Sequence, residues 1–159
     1  MVNTLYHKRR RNVQTKYKID RKTRTQILIY IQKYGEYRSW YDAERSRILY
    51  PSTKQADGMP RGGYVGNPTL SAAEKLERLE GEHRTRVIRA IDQARHLIGV
   101  DIQQTLEQEE ILRQCIWLSC ENPREYPFEV FEKKLYVSRR QFYRYKNKFM
   151  NDIKDLLGL

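Results

Sequence analysis

The sequence predicts an all-α protein. Apolar residues recur at steps of three and four through each long segment, the spacing that puts side chains on one face of a helix. Helix-start signals stand at Asn67-Pro68 and at Ser138. Hydrophobic residues make up 39% and charged residues 32% of the chain. With a mean hydropathy of −0.87, that composition favours helices with much exposed surface over one large core. At 159 residues the chain has room for one good domain, a compact domain with an extension, or two small modules.

Residues 1–19 read as a basic flexible arm. Lys8, Arg9, Arg10, Arg11, Lys16, Lys18, Arg21, Lys22 and Arg24 face a single acid, Asp20, within the first 24 residues, so this end holds most of the net charge of +11. Before Lys18 there is little apolar periodicity, and that part is expected to stay disordered until it meets a partner. A solubilising tail is the plainer alternative. Residues 20–50 follow as a helical segment, a hairpin or one kinked helix. Ile27, Leu28, Ile31 and Tyr34 form a stripe, Gly35 interrupts it, and Tyr37, Trp40, Tyr41, Ala43, Ile48 and Leu49 continue an aromatic pattern. These aromatics are expected to pack as core, although aromatics among arginines also suit stacking on exposed bases.

Residues 51–67, beginning at Pro51 and rich in glycine and proline, form a loop or linker. Its glycines have neither the Gly-Lys-Ser/Thr end of a Walker loop nor the preceding strand of a dinucleotide fold, so no nucleotide site is expected. Residues 68–99 then read as one long helix, from Leu70, Ala73, Leu76 and Leu79 through Val87, Ile88, Ile91, Ala94, Leu97 and Ile98 to Gly99, with Gly81 as a point of division. Glu74, Glu77 and Glu80 among Lys75, Arg78 and Arg84 give it the surface of a scaffold or of a coiled-coil homodimer, though only about four heptads fit.

Residues 100–159 form the C-terminal module. Asp101, Glu107, Glu109 and Glu110 precede Ile111, Leu112, Cys115, Ile116 and Leu118, where acids favour a helix dipole. The acidic patch from Glu107 to Glu110 is a candidate contact for RNA polymerase. Next, Pro127 to Leu135 reads as a short helix with Phe128, Phe131 and Leu135 on one side, followed by Tyr136-Val137 and a capping box of Ser138 with Gln141. Short helix, tight turn and capped longer helix is the layout of a DNA-binding helix-turn-helix.

Phe142, Tyr145, Phe149, Ile153 and Leu156 share one face of that last helix, whereas Arg139, Arg140, Tyr143, Arg144 and Asn147 share another. Five basic residues and no acid lie between Ser138 and Phe149. A solvated helix face usually mixes both signs, so this one suits an anionic groove. Arginine pairs with guanine and asparagine with adenine in the major groove, while Lys146, Lys148 and the arm residues Lys8, Arg9, Arg10 and Arg11 would contact phosphates. The expected partner is double-stranded DNA, consistent with a pI of about 9.7. No apolar run approaches the ~20 residues of a membrane span and no signal-peptide core is present, so the expected location is cytoplasmic.

Two cysteines, Cys115 and Cys120, and three scattered histidines, His7, His83 and His96, make no zinc pattern by spacing. Buried free thiols are expected, and no cofactor, metal or catalytic residue is assigned. Glu107 and Glu110 share a helix face but have no pocket or ligand partner to suggest acid/base chemistry.

The basic N-terminus, the segment ending Ile48-Leu49-Tyr50-Pro51, the loop from Gly58-Met59-Pro60-Arg61-Gly62 to Val65-Gly66-Asn67-Pro68-Thr69, the long helix, and the terminal Val137-Ser138-Arg139-Arg140-Gln141-Phe142-Tyr143-Arg144-Tyr145 together resemble the RinA/ArpU-type regulators of phages and prophages in Gram-positive bacteria. The resemblance covers most of the chain from about Asp20. It implies a transcriptional activator, often of late phage genes, whose C-terminal helix-turn-helix is similar to the promoter-reading region of sigma factors. It also implies that Arg139, Arg140, Tyr143, Arg144 and Asn147 enter a major groove. The sequence departs from the pattern at Tyr126-Pro127-Phe128, where a polar start is more usual.

Three other functions compete. A phage small terminase subunit also joins a helix-turn-helix to a helical oligomerisation region and recognises DNA for packaging. A tyrosine recombinase is suggested only by the many arginines, His83 and several tyrosines, in a chain short for that catalytic domain. A purely structural interaction protein would bind no DNA even at low salt.

Overall fold

The computed structural model describes residues 18–51, 68–101 and 105–159. The arm residues Lys8, Arg9, Arg10 and Arg11 and nearly all of the Gly/Pro-rich stretch lie outside these. All regular structure among the described residues is helical: α1 (Arg21–Gln32), α2 (Tyr34–Leu49), α3 (Pro68–Gly81), α4 (His83–His96), α5 (Leu106–Glu121) and α6 (Arg139–Leu157), with one 3₁₀ turn at Phe128–Val130. None of these helices is long and apolar enough to cross a membrane.

Asp20 starts α1 by accepting the Thr23 backbone N–H at 3.0 Å. The break before α2 falls at Lys33 alone, so the segment is a kinked helix. Gly35, the expected interruption, lies inside α2, where a helical glycine costs stability without stopping the helix. The expected long helix is two. Glu82 is extended between α3 and α4, and the buried Thr85 hydroxyl donates to the Leu79 carbonyl at 2.7 Å, satisfying an acceptor left over at the end of α3. The division thus falls beside Gly81. Gly99 takes a left-handed φ of 83° in the turn after α4, a conformation glycine adopts without a Cβ clash.

Thr105 and Gln108 form a capping box at the start of α5. Arg113, which pairs with Glu109 at 3.2 Å and Glu110 at 3.7 Å, also donates to the carbonyls of His96, at the end of α4, and Ile98, just beyond it. Two members of the expected acidic patch therefore serve the α4–α5 junction. Glu107 remains exposed.

One core joins both halves of the chain. Ile27 and Ile31 of α1, Val87, Ile91 and Ala94 of α4, Leu112, Cys115, Ile116 and Cys120 of α5, and Phe142, Tyr145, Phe149, Met150 and Ile153 of α6 bury against one another. α6 packs chiefly on α4 and α1, and α2 lies on α3 and α4. Residue 99 is consequently not a boundary in the core, and residues 100–159 share their apolar interior with α1 and α4. Both cysteines are buried free thiols. Burial pushes the Cys120 thiol up to about 11, away from the thiolate a nucleophile needs.

Candidate nucleic-acid interface

The helix expected to enter DNA starts where its sequence says it should. Ser138 accepts the Gln141 backbone N–H at 3.3 Å, and the Gln141 side chain accepts the Ser138 N–H at 2.9 Å. These bonds satisfy two donors at the start of α6 and set its first residue. Phe142, Tyr145, Phe149 and Ile153 are buried, so the helix is anchored along its length through the predicted stripe. Leu156, the last member, is exposed.

The partner helix is different. In place of an α-helix from Pro127 to Leu135 there is the Phe128–Val130 3₁₀ turn, continued by hydrogen-bonded turns from the Phe131 carbonyl to the N–H groups of Lys134 and Leu135. Spacing misleads here because a 3₁₀ turn also puts residues three apart on one side. Phe128 and Phe131 reach the core as a helix would have them do, packing on Phe142 with ring centroids 5.6 and 6.1 Å away. The Tyr143 hydroxyl accepts the Phe128 N–H at 3.3 Å, which ties the turn to α6.

The solvent face of α6 carries Arg139, Arg140 and Arg144, all exposed, with Asn147 and Lys148 half-buried beside them. Arg139 pairs with Glu129 at 2.8 Å and lies over the Tyr143 ring; Arg144 stands 3.9 Å from Asp101. Pairs this exposed are worth about 0–1 kcal/mol, so both guanidinium groups exchange readily onto a stronger anion. Arg140 has no ion pair within 4 Å among the described residues. Tyr143 is half-buried against Phe142 and occupied with the turn, a position that supports the face from its edge.

Lys146 departs most from expectation. It is 3% exposed, and its ammonium donates to Ser119 Oγ at 2.7 Å and pairs with Glu125 Oε2 at 2.8 Å. A phosphate outside the protein has no approach to it, so it leaves the set of phosphate contacts. The same Glu125 oxygen takes Arg24 of α1 at 2.7 Å, and Arg24 also donates to Asn147 Oδ1 at 3.5 Å. Ser119 in turn donates its hydroxyl to the Tyr126 carbonyl at 2.6 Å. Burial raises the Glu125 carboxyl, but the hydrogen bond and charge of Lys146, followed by Arg24, outweigh it and hold the group below its ordinary 4.5. Glu125 reaches both cations from a left-handed backbone, φ 47°, an uncommon place for a non-glycine residue. This clamp joins α1, the α5–α6 connection and α6.

The sequence contained a sign of it. Lys146 is four residues after Phe142 and three before Phe149, squarely on the apolar face. Its partner lies 21 positions upstream on a loop and carries no such sign. Comparison with protein-family models, with curated proteins and with solved structures finds no match to this chain.

Proposed function

We propose that the protein is a sequence-specific DNA-binding regulator of the RinA/ArpU type, acting on phage or prophage genes as an activator of transcription. The observation that carries this is the construction of α6: a capped helix, locked by its apolar stripe, whose solvent face presents Arg140 and Arg144 with Asn147 and Lys148 beside them. A rigid base is what side chains need to meet base edges in register, because a loosely held helix would lose the geometry of paired contacts. The net charge of +11 adds the sequence-independent attraction on which any such binding depends.

With the partner helix reduced to a 3₁₀ turn, support comes from α6 and its face rather than from a two-helix motif. Arg140 and Arg144 are the base-reading residues, and Arg139 and Lys148 stand where phosphates would pass.

Selection of bound fragments from random duplex DNA, followed by footprinting, tests this. Arg140→Ala and Arg144→Ala should each relax preference at a defined base by about 1–3 kcal/mol. Unchanged preference in both would remove α6 as the reading element. Ring-shaped oligomers of the free protein would instead favour the DNA-packaging function of a small terminase subunit.

A further inference from the structure

The Arg24–Glu125 bond brings the first turn of α1 against the loop that connects α5 to α6. Lys18, Arg21 and Lys22 from the first element and Arg124 from the second are all exposed. None of the four has an ion pair within 4 Å among the described residues, whereas Arg24 between them is paired with Glu125. The acids nearby in sequence are Asp20, which caps α1, Glu121 at the end of α5, and Glu125, whose charge is already shared between Arg24 and Lys146. Cations left unpaired on two adjoining elements leave a local excess of positive charge.

The position of that excess relative to α6 is set by Arg24, which bridges to Asn147. Asn147 lies seven residues beyond Arg140, about 10 Å along the helix axis. The major groove is about 8.5 Å deep, so with the first turns of α6 in the groove an element beside Asn147 meets the duplex at the level of its bordering sugar-phosphate strand. We propose that Lys18, Arg21, Lys22 and Arg124 form a phosphate-binding shelf for that strand. The shelf rests on the DNA-binding function of α6 proposed above. It makes α1 part of the interface, and it gives Glu125 the task of holding the shelf at a fixed distance from the reading helix. Phosphate contacts of this kind set register without reading sequence.

The test uses the full chain and two duplexes, the selected site and a scrambled one, titrated over about 50–300 mM salt. Arg21→Ala/Lys22→Ala/Arg124→Ala is compared with Lys75→Ala/Arg78→Ala, which removes exposed cations from α3, a helix packed on α2 and α4. The triple variant should lower the slope of log affinity against log salt by about 3, and weaken both duplexes about tenfold or more, with the ratio between them unchanged. The α3 variant should leave the slope nearly as it was. An unaltered slope in the triple variant, or an equal fall in both variants, overturns the shelf while leaving α6 as the reader. Failure of the unmodified protein to bind either duplex at the lowest salt overturns the DNA-binding function itself, and the shelf with it. Thermal unfolding of each variant, expected within a few degrees of the parent, separates lost contacts from lost structure.

Discussion

Two helices rich in aromatics and arginines, α2 and α6, look alike in sequence and are used in opposite ways. α6 buries Phe142, Tyr145, Lys146, Phe149, Met150 and Ile153, whereas α2 buries none of its residues. The expected core stripe of Tyr37, Trp40, Tyr41 and Ile48 is only half-buried, and Ala43 and Leu49 are exposed. What holds α2 is an outer layer of polar-aromatic contacts. Tyr34 donates to Asp92 at 2.6 Å, Tyr41 donates to Glu80 at 2.7 Å, and Arg84 of α4 stacks over both Tyr37 and Trp40. Aromatics at helical spacing thus mark a contact face, and whether that face becomes core depends on how many elements cover it. α6 lies against α1, α4 and α5; α2 lies at the periphery on α3 and α4.

The sharpest contrast is between Phe142→Ala and Trp40→Ala. Phe142 is fully buried, and its truncation should cost about 3–5 kcal/mol in denaturant unfolding. Trp40, half-buried at the edge, should cost about 1–2 kcal/mol, since much of the site is already open to water. Equal costs would mean that α2 belongs to the core after all.

The clamp under α6 should respond next, and asymmetrically. Glu125→Gln leaves the Lys146 ammonium buried with Ser119 but without its counter-ion, at a cost of about 2 kcal/mol, less than for a fully buried pair because the Glu125 side chain keeps 30% exposure. Lys146→Met removes the buried charge while Glu125 keeps Arg24, and should lie within about 1 kcal/mol of the parent. A costlier Lys146→Met than Glu125→Gln would show that the lysine stabilises the fold rather than orienting its parts.

Acid titration gives a related result. Because the folded Glu125 carboxyl sits below 4.5, its contribution is complete above that pH and is lost as pH falls through the lowered folded value. The Tm gap between the parent and Glu125→Gln should therefore close below about pH 4.5. A gap that persists unchanged at lower pH would separate the cost of the substitution from ionisation.

A modest effect belongs to the Tyr34 hydroxyl of α2. Tyr34→Phe removes one hydrogen bond to Asp92 and should cost about 0.5–1.5 kcal/mol. Burial, followed by the hydrogen bond to Asp92, pushes the Tyr34 phenol from 10 up to about 12, so its contribution holds below pH 10 and fades as pH rises toward 12. Loss of stability in that range should be shallower for Tyr34→Phe than for the parent.

Much of the architecture was open to reading because it is local. The Ser138–Gln141 cap and the buried positions Phe142, Tyr145, Phe149 and Ile153 all follow from spacing within one helix. So did the division near Gly81. Where spacing is ambiguous the sequence misleads, as at Pro127 to Leu135, where Phe128 and Phe131 face inward from a 3₁₀ turn as they would from an α-helix.

What the sequence determined by itself is the helical class, the start and inner face of α6, and the excess of basic charge, because periodicity, capping and charge are properties of neighbours along the chain. Only the tertiary structure decided that Lys146 is a buried partner of Glu125 rather than a surface cation, that α1 stands beside α6, and that residues 100–159 share their core with α1 and α4. Those outcomes depend on which distant groups meet. A lysine on an apolar face turns inward only if a carboxylate arrives to meet it, and here that carboxylate comes from a left-handed turn on another element.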